Sequence, residues 1–242
     1  VIKSLFKKKK AYPLHSLDLH SHLIPGIDDG VSTIDETIAI LREFESWGMK
    51  KVITTPHIFS EVYPNKESNI LARHKKVVEQ LNANGVGVEL EVAAEYYVDE
   101  ELLTKLNNNH PLLTFGEKYL LFETPFLLEP KILTECIFML ITKGYVPVMA
   151  HPERYIYLQE DNKRMGELRE RGVLFQVNLG SLVGYYSENA KNVVKILLKK
   201  SWIDFIGSDC HNQKHQHVLS KVWGDKLYKK IIESGIRNDE LI

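Results

Sequence analysis

Two hydrophobic periods take turns along this chain. Short apolar runs predict strands over residues 17–20, 51–55, 88–94, 119–122, 146–150, 173–177 and 203–207. Between them apolar residues recur every three to four positions. That spacing predicts helices over 32–47, 67–82, 99–106, 130–142, 162–170 and 187–199, with a last one near 217–233. Local punctuation agrees. Thr33 and Glu36 have capping-box spacing and Gly48 follows the same helix, while Pro130 opens its helix and Gly144 lies past its end. Seven strands, each followed by a helix, imply right-handed βαβ crossovers and a parallel sheet. The strands VITT, YLLF, VPVMA and DFIG lack polar alternation, as strands buried on both faces do. Such a chain closes into a barrel or winds into an open sheet. No glycine-rich loop follows the first strand, which argues against dinucleotide binding. The length of 242 residues fits one α/β barrel, which runs to about 250.

Composition narrows the class. Apolar residues at 44% supply enough Val, Ile, Leu and Phe to exclude a disordered chain. No apolar run approaches the ~18–20 residues of a membrane helix. The two cysteines, Cys136 and Cys210, are too few for a disulfide framework, so a reducing, cytoplasmic setting is expected. The formal net charge of −1 hides an asymmetry. Five of the 31 Lys and Arg residues lie in the head VIKSLFKKKK, so the rest of the chain carries 26 against 32 acidic residues. An acidic body is a poor match for a nucleic-acid backbone, and no nucleic-acid partner is expected. The head is too short and charged for a signal peptide. Residues 1–13 are expected to form a basic flexible tail, with weak attraction to an anionic membrane surface as its alternative role. Residues 14–242 are expected to form a single domain.

The strand ends carry the chemistry. Strand one runs into Asp18-Leu19-His20-Ser21-His22, and strand two into Thr55-Pro56-His57. Strands three and four end in Glu95 and Glu123, and strand five in His151-Pro152-Glu153-Arg154. Strand six ends in Asn178, and strand seven in Ser208-Asp209-Cys210-His211. In a parallel barrel all these ends meet on one face, where active sites are built. Imidazoles and carboxylates without thiolates suit zinc, manganese or iron in a hydrolytic site. His-x-His on a strand end puts both rings on one side, and Asp209-x-His211 repeats the spacing. So many donors exceed the needs of one ion. A cluster of two or three is implied, with a bridging carboxylate, able to lower the pKa of a bound water and clamp both the attacking and leaving oxygens. His15, His74 and His110 lie away from strand ends and read as structural or solvated. His215 and His217 follow the last donor pair, with no role the pattern assigns.

The motifs DLHSHLIPGIDDG, TTPH, AAEYY, FETP, AHPERY and GSDCHN run in order from Asp18 to His211. They resemble the polymerase and histidinol phosphatase (PHP) superfamily. Within it they are most similar to the manganese-dependent protein-tyrosine phosphatases of bacterial capsule and exopolysaccharide operons. The resemblance implies a distorted (β/α)7 barrel of PHP type over residues 14–242, with the metal site at the C-terminal ends of the strands. It implies three divalent metal ions, manganese first, with iron or zinc as alternatives. One ion would be held by His20, His22, Glu95 and Asp209. Glu95 would bridge to a second, completed by Glu123 and His151. Asp29 would join His57 and His211 on the third; the sequence by itself leaves Asp28 and Asp29 equivalent. Arg154 on its own would be explained by a salt bridge with Glu153 or Glu160. Similar proteins use an arginine at this place to hold the phosphoryl group bidentately. They often carry a second arginine after the last ligand pair. Here that loop reads NQKHQH and offers Lys214, His215 or His217 in its place, with Lys214 a weaker helper.

Cysteine chemistry fails on spacing. A cysteine-dependent phosphatase needs Cys-x5-Arg, whereas Thr142 and Gln216 stand six residues after Cys136 and Cys210. The resulting expectation is a metal-dependent phosphomonoesterase that hydrolyses protein phosphotyrosine through a metal-activated hydroxide, without a phosphoenzyme. The substrate implied by the resemblance is the tyrosine-rich tail of a capsule-assembly tyrosine kinase. Tyr63, Tyr96, Tyr97, Phe126 and Tyr155 flank ligand positions, and as a set they read as half packing and half substrate-facing surface. The rival readings are a small-molecule phosphatase acting on histidinol phosphate, an amidohydrolase and a non-catalytic metal-stabilised module. Amidohydrolases typically bridge their metals with a carboxylated lysine, where this chain has Glu95 and Glu123.

Overall fold

Every strand ladder among the described residues is parallel. A computed structural model describes residues 12–242; the basic run 1–10 lies outside them. The chain passes through β1 (Leu17–Leu19), α1 (Ile34–Ser46), β2 (Lys51–Thr54), β3 (His57–Ile58), α2 (Glu67–Ala83), β4 (Glu89–Val92), β5 (Glu95–Tyr97) and α3 (Glu100–Asn107). It continues through β6 (Tyr119–Glu123), α4 (Leu133–Thr142), β7 (Val146–Ala150), α5 (Ile156–Gln159), α6 (Asn162–Glu170), β8 (Leu174–Asn178) and α7 (Leu179–Leu182). The last elements are α8 (Glu188–Lys199), β9 (Phe205–Gly207), α9 (Gln213–Val222) and α10 (Lys226–Glu233). None of the described helices is long and apolar enough to cross a membrane.

Two of the seven expected strands, 51–55 and 88–94, stop slightly short, at Thr54 and Val92, and each is followed after a gap by a second short strand that was not expected. The order β1-β2-β4 forms one sheet and β3-β5-β6-β7-β8-β9 another. The breaks fall at one level, between Thr54 and His57 and between Val92 and Glu95, and pairing resumes in register on the far side. Pro56 has no N–H to give a ladder, which accounts for the first break. The first and last strands meet through less than a ladder. They share one parallel bridge, Ser21 with Cys210, and two flanking backbone bonds, His22 N to Cys210 O at 2.9 Å and Asp209 N to His20 O at 2.8 Å. Buried Asp18 reinforces the join by accepting from the Ser208 N–H at 2.7 Å and hydroxyl at 2.6 Å. A Cβ at Gly207 would strike the Leu19 carbonyl oxygen, so this approach requires glycine.

Alternate strand residues feed two separate cores. One holds the strand residues Leu17, Leu19, Ile53, Leu121, Val148, Ala150 and Phe205 with Ala93, Phe115 and Leu241. The other combines Val52, Leu90, Phe122, Met149, Phe175 and Val177 with the apolar faces of the helices. Both faces are therefore covered, which is why the strands read as continuous apolar runs.

Most helices begin near the expected positions. The Thr33–Glu36 capping box is present, and Asp99, Asp161 and Ser187 cap α3, α6 and α8. The helix expected from Pro130 starts at Leu133. The single last helix is two: α9 stops before Gly224, and Asp225 caps α10. The four-residue α5 and α7 are too short to leave a helical period in the sequence.

Candidate metal centre

The donors expected at strand ends gather around one cavity of about 1130 Å³. Asp29, His57, Glu95, Glu123, His151, Asp209 and His211 line it, while His20 and His22 are fully buried beneath. Glu95 stands at the centre. Its Oε2 lies 3.1 Å from His20 Nε2, 3.4 Å from His22 Nε2 and 3.3 Å from His57 Nδ1, and its Oε1 lies 3.1 Å from His151 Nε2. Asp29 Oδ1 lies 3.4 Å from both His57 Nε2 and His211 Nε2. Four sets have donor atoms all within 4.8 Å of one another: His22/Asp29/His57/His211, His20/His22/Glu95, His20/His151/Asp209 and His57/Glu95/Glu123. His57 is thus as near to Glu95 and Glu123 as to Asp29.

His20 and His22 converge, with Nε2 atoms 3.3 Å apart, but not through extended-strand alternation. The strand ends at Leu19, and His20 has a φ of +89°. His151 and Asp209 also lie at positive φ, +34° and +50°. Non-glycine residues rarely occupy that region unless the surroundings impose it, and such strain gathers at functional sites.

Uncharged and acidic neighbours aim the donors. Gln176 Oε1 lies 2.8 Å from His20 Nδ1, and Asp28 Oδ2 lies 2.8 Å from His22 Nδ1. Proton donation from each Nδ1 turns the Nε2 lone pair toward the centre. Asp28 also accepts from the His57 and Gly30 N–H groups, at 3.1 and 2.9 Å. The two adjacent aspartates therefore differ: Asp28 holds the loop and His22, and Asp29 faces the cavity. Asp209 Oδ2 accepts from Asn178 at 2.7 Å, Arg154 at 2.8 Å and the Tyr186 hydroxyl at 3.2 Å.

The donor set fits metal ions. It is wholly imidazole and carboxylate, and the Cys210 thiol makes its contact with Asn212 O instead. His57 Nδ1 is buried 3.0 Å from Glu123 Oε1, yet makes no hydrogen bond. Burial opposes every charge here, but the groups offset one another. Burial raises the carboxyls of Glu95 and Asp209, and the surrounding imidazoles, His20 above all, outweigh it and hold both well below their usual range. Burial lowers His20 and His211, and Glu95 and Asp209 respectively outweigh it and lift each to about 9. Buried carboxylates at this density need positive neighbours, a role that divalent ions held by the same donors would fill.

Arg154 lies in the cavity wall. Its guanidinium stacks between Phe126, 4.7 Å from the ring centre, and Tyr186, at 4.2 Å. Lys214 is not brought to the cavity. It is exposed on the first turn of α9, where the Asn212 side chain caps its N–H. Of the three candidates in NQKHQH, His215 lines the cavity, and its Nδ1 accepts from the His211 N–H at 3.1 Å; His217 is exposed and does not line it. His15 is buried against the Tyr228 hydroxyl, 2.6 Å away, His74 lies 2.8 Å from Leu90 O, and exposed His110 lies 3.3 Å from Glu67. Tyr63, Tyr97 and Phe126 line the cavity, whereas Tyr96 and Tyr155 are core. Sequence reasoning missed Gln176, Asp28 as a positioning group, Phe59, Tyr185 and Tyr186. The one signal for the last two was the run GYYS, shortly after the Asn178 strand end.

Both thiols are buried. Burial pushes Cys136 up to about 12 and moves Cys210 further in the same direction. A nucleophilic cysteine needs the opposite shift. The Cys136→Ala/Cys210→Ala double variant should therefore keep most of the wild-type turnover, measured on any phosphoester the protein hydrolyses. Loss of activity in a variant that still folds and binds metal would contradict a water nucleophile.

The capsular polysaccharide synthesis CpsB/CapC family matches residues 16–236. The tyrosine-protein phosphatase YwqE of Bacillus subtilis (strain 168) is 28% identical over 227 residues, covering 90% of this chain and 89% of its own. The tyrosine-protein phosphatase CpsB of Streptococcus pneumoniae is 25% identical over 242 residues, covering 93% and 100%. Among solved structures, one described with YwqE and CpsB as unique metal-dependent tyrosine phosphatases superposes with a TM-score of 0.79, at 28% identity over 93% of each chain. A lactonase from Listeria monocytogenes, at 11% identity and a TM-score of 0.54, covering 96% of this chain and 91% of its own, shares the fold.

Proposed function

The chain belongs to the capsular polysaccharide synthesis CpsB/CapC family, and from that premise we propose that it is a metal-dependent phosphomonoesterase acting on phosphotyrosine in proteins. The observation that carries the proposal is the gathering of five imidazoles and four carboxylates around one cavity, with Arg154 in its wall. Three divalent ions, manganese first, would be held by His20, His22 and Asp209, by Glu123 and His151, and by Asp29, His57 and His211, with Glu95 shared between the first two. When bound, the ions supply Lewis-acid charge and an activated water.

The chain's own groups do the rest. Gln176 and Asp28 hold His20 and His22 with their Nε2 atoms toward the centre. Asn178 and Tyr186 fix Asp209. Arg154, clamped between two rings, offers a planar fork to phosphoryl oxygens. The aromatic side chains of Tyr63, Tyr97 and Phe126 on the cavity wall offer surface to a phosphorylated ring, which favours phosphotyrosine over histidinol phosphate. The partner proposed is the tyrosine-rich tail of a capsule-assembly kinase, with the basic head adding weak attraction to an anionic membrane.

The test is a substrate panel on manganese-loaded protein: phosphotyrosine peptide, phosphoserine peptide and histidinol phosphate. Phosphotyrosine peptide should be preferred, chelation should abolish turnover, and manganese should restore it. Elemental analysis that finds no transition metal in active protein would sink the metal assignment. Preference for histidinol phosphate would replace the protein substrate with a small one.

A further inference from the structure

The segment after Glu123 breaks the usual rule for exposed residues. Leu127 and Leu128 are 67% and 75% exposed, side by side, on the rim of the metal cavity. Consecutive large apolar residues in water carry no folding benefit, and a patch of them marks a contact surface. Nor is the loop loose enough to tuck them in. Its start is fixed by the Thr124 N–H to the Tyr155 hydroxyl at 3.2 Å, and its middle by the Ile156 N–H to Phe126 O at 2.8 Å. Its end is fixed by Glu129, paired in two bonds with Arg164 at 2.6 and 2.8 Å. A pinned backbone therefore holds both leucines out.

The patch is continuous with the reacting site. Phe126, next in the chain, stacks on Arg154 and lies 5.9 Å from the His151 ring. Val62 and Tyr185, 54% and 47% exposed, belong to the same rim. Leu127, Leu128, Val62 and Tyr185 carry no charge. All four line the same open cavity as the metal donors, so a peptide whose phosphotyrosine reaches those donors has apolar side chains within its reach on the rim.

We propose that Leu127 and Leu128, with Val62 and Tyr185, form a seat for the side chains flanking the phosphotyrosine, and that the protein selects phosphotyrosine set between apolar or aromatic residues. The proposal rests on the phosphotyrosine reading above and specifies its substrate class. The leucines are specificity-determining, not catalytic: they meet the peptide beside the reacting group.

The experiment compares two phosphotyrosine peptides of equal length, one with Leu and Phe on both sides and one with Ser and Gly. Wild-type protein should favour the apolar peptide by about 10–100-fold in kcat/KM, the discrimination that one well-filled apolar contact or two supply. In Leu127→Ser/Leu128→Ser that ratio should fall to about threefold or less, mostly through KM, while Leu127→Met/Leu128→Met should retain most of it. Both side chains are exposed, so neither variant disturbs the core. Equal turnover of the two peptides by wild type would overturn the seat and leave phosphotyrosine hydrolysis standing. So would an undiminished ratio in the serine variant. Light scattering that shows a wild-type oligomer dissociated by the serine change, with the ratio unchanged, would assign the leucines to a second copy of the chain and also overturn it. Failure of wild type on both peptides, with turnover of histidinol phosphate, would instead remove the underlying reading.

Discussion

Glu95→Gln should strip bound metal and lower turnover of a phosphotyrosine peptide by on the order of 10³-fold or more. No other carboxylate in the cluster is placed as Glu95 is. Its two oxygens face four imidazoles, those of His20, His22, His57 and His151, each within 3.4 Å. Glutamine keeps the shape and one carbonyl oxygen. It removes the charge and turns an NH2 toward at least one ring whose lone pair is needed. In the proposed arrangement Glu95 would be shared between two ions, so its loss would affect both at once. Metal-ion catalysis is worth several kcal/mol, and each ~1.4 kcal/mol is tenfold in rate. Metal analysis and single-substrate kinetics on the same preparation decide the outcome, with circular dichroism to show that the fold persists. Wild-type metal content and turnover in Glu95→Gln would mean that the centre is held by other residues.

The same residue shows what a sequence of this kind discloses. Glu95 is legible because it stands at the end of an apolar run, and in a parallel sheet chemistry gathers at such ends. His57, Glu123, His151 and Asp209 are legible for the same reason. What the run does not disclose is backbone detail. Val88 to Ala94 looks like one strand, yet pairing lapses between Val92 and Glu95, level with Pro56 in the neighbouring strand. His20 looks extended and is left-handed, because the alternation argument assumes a strand that has already ended. Asp28 and Asp29 are the same residue type one position apart. Only the fold of the loop, with Gly30 packed where a Cβ would strike His22, sends Asp28 to the His22 Nδ1 and Asp29 to the cavity, beside His57 and His211.

Residues that act through others leave the least trace. Gln176, Asn178 and Tyr186 hold ligands in place, but a lone amide or phenol in a chain has no diagnostic spacing. Lys214 is the converse. Its charge draws notice in NQKHQH, yet the helical start at Gln213 leaves it exposed and sets His215 on the cavity. The break between α9 and α10 was written in Gly224-Asp225, a stop followed by a cap, and an unbroken apolar period hid it.

Arg154→Ala should cut turnover by about 10²–10³-fold and leave metal content unchanged. The magnitude is that of removing one preorganised charge from a transition-state clamp. Metal is spared because Arg154 is no donor, and Asp209 keeps its bonds from Asn178 and Tyr186 at 2.7 and 3.2 Å when the guanidinium is gone. Arg154→Lys should recover only part of the loss. The slot between Phe126 and Tyr186 fits a flat, delocalised cation; an ammonium stacks less well and meets phosphoryl oxygens as a point rather than a fork. Lys214→Ala should cost roughly tenfold or less, since an exposed, flexible charge is screened by water. The three variants, measured on one phosphotyrosine substrate with metal content checked in each, separate the roles. Normal turnover by Arg154→Ala together with a dead Lys214→Ala would move the phosphate clamp from the loop after β7 to the start of α9.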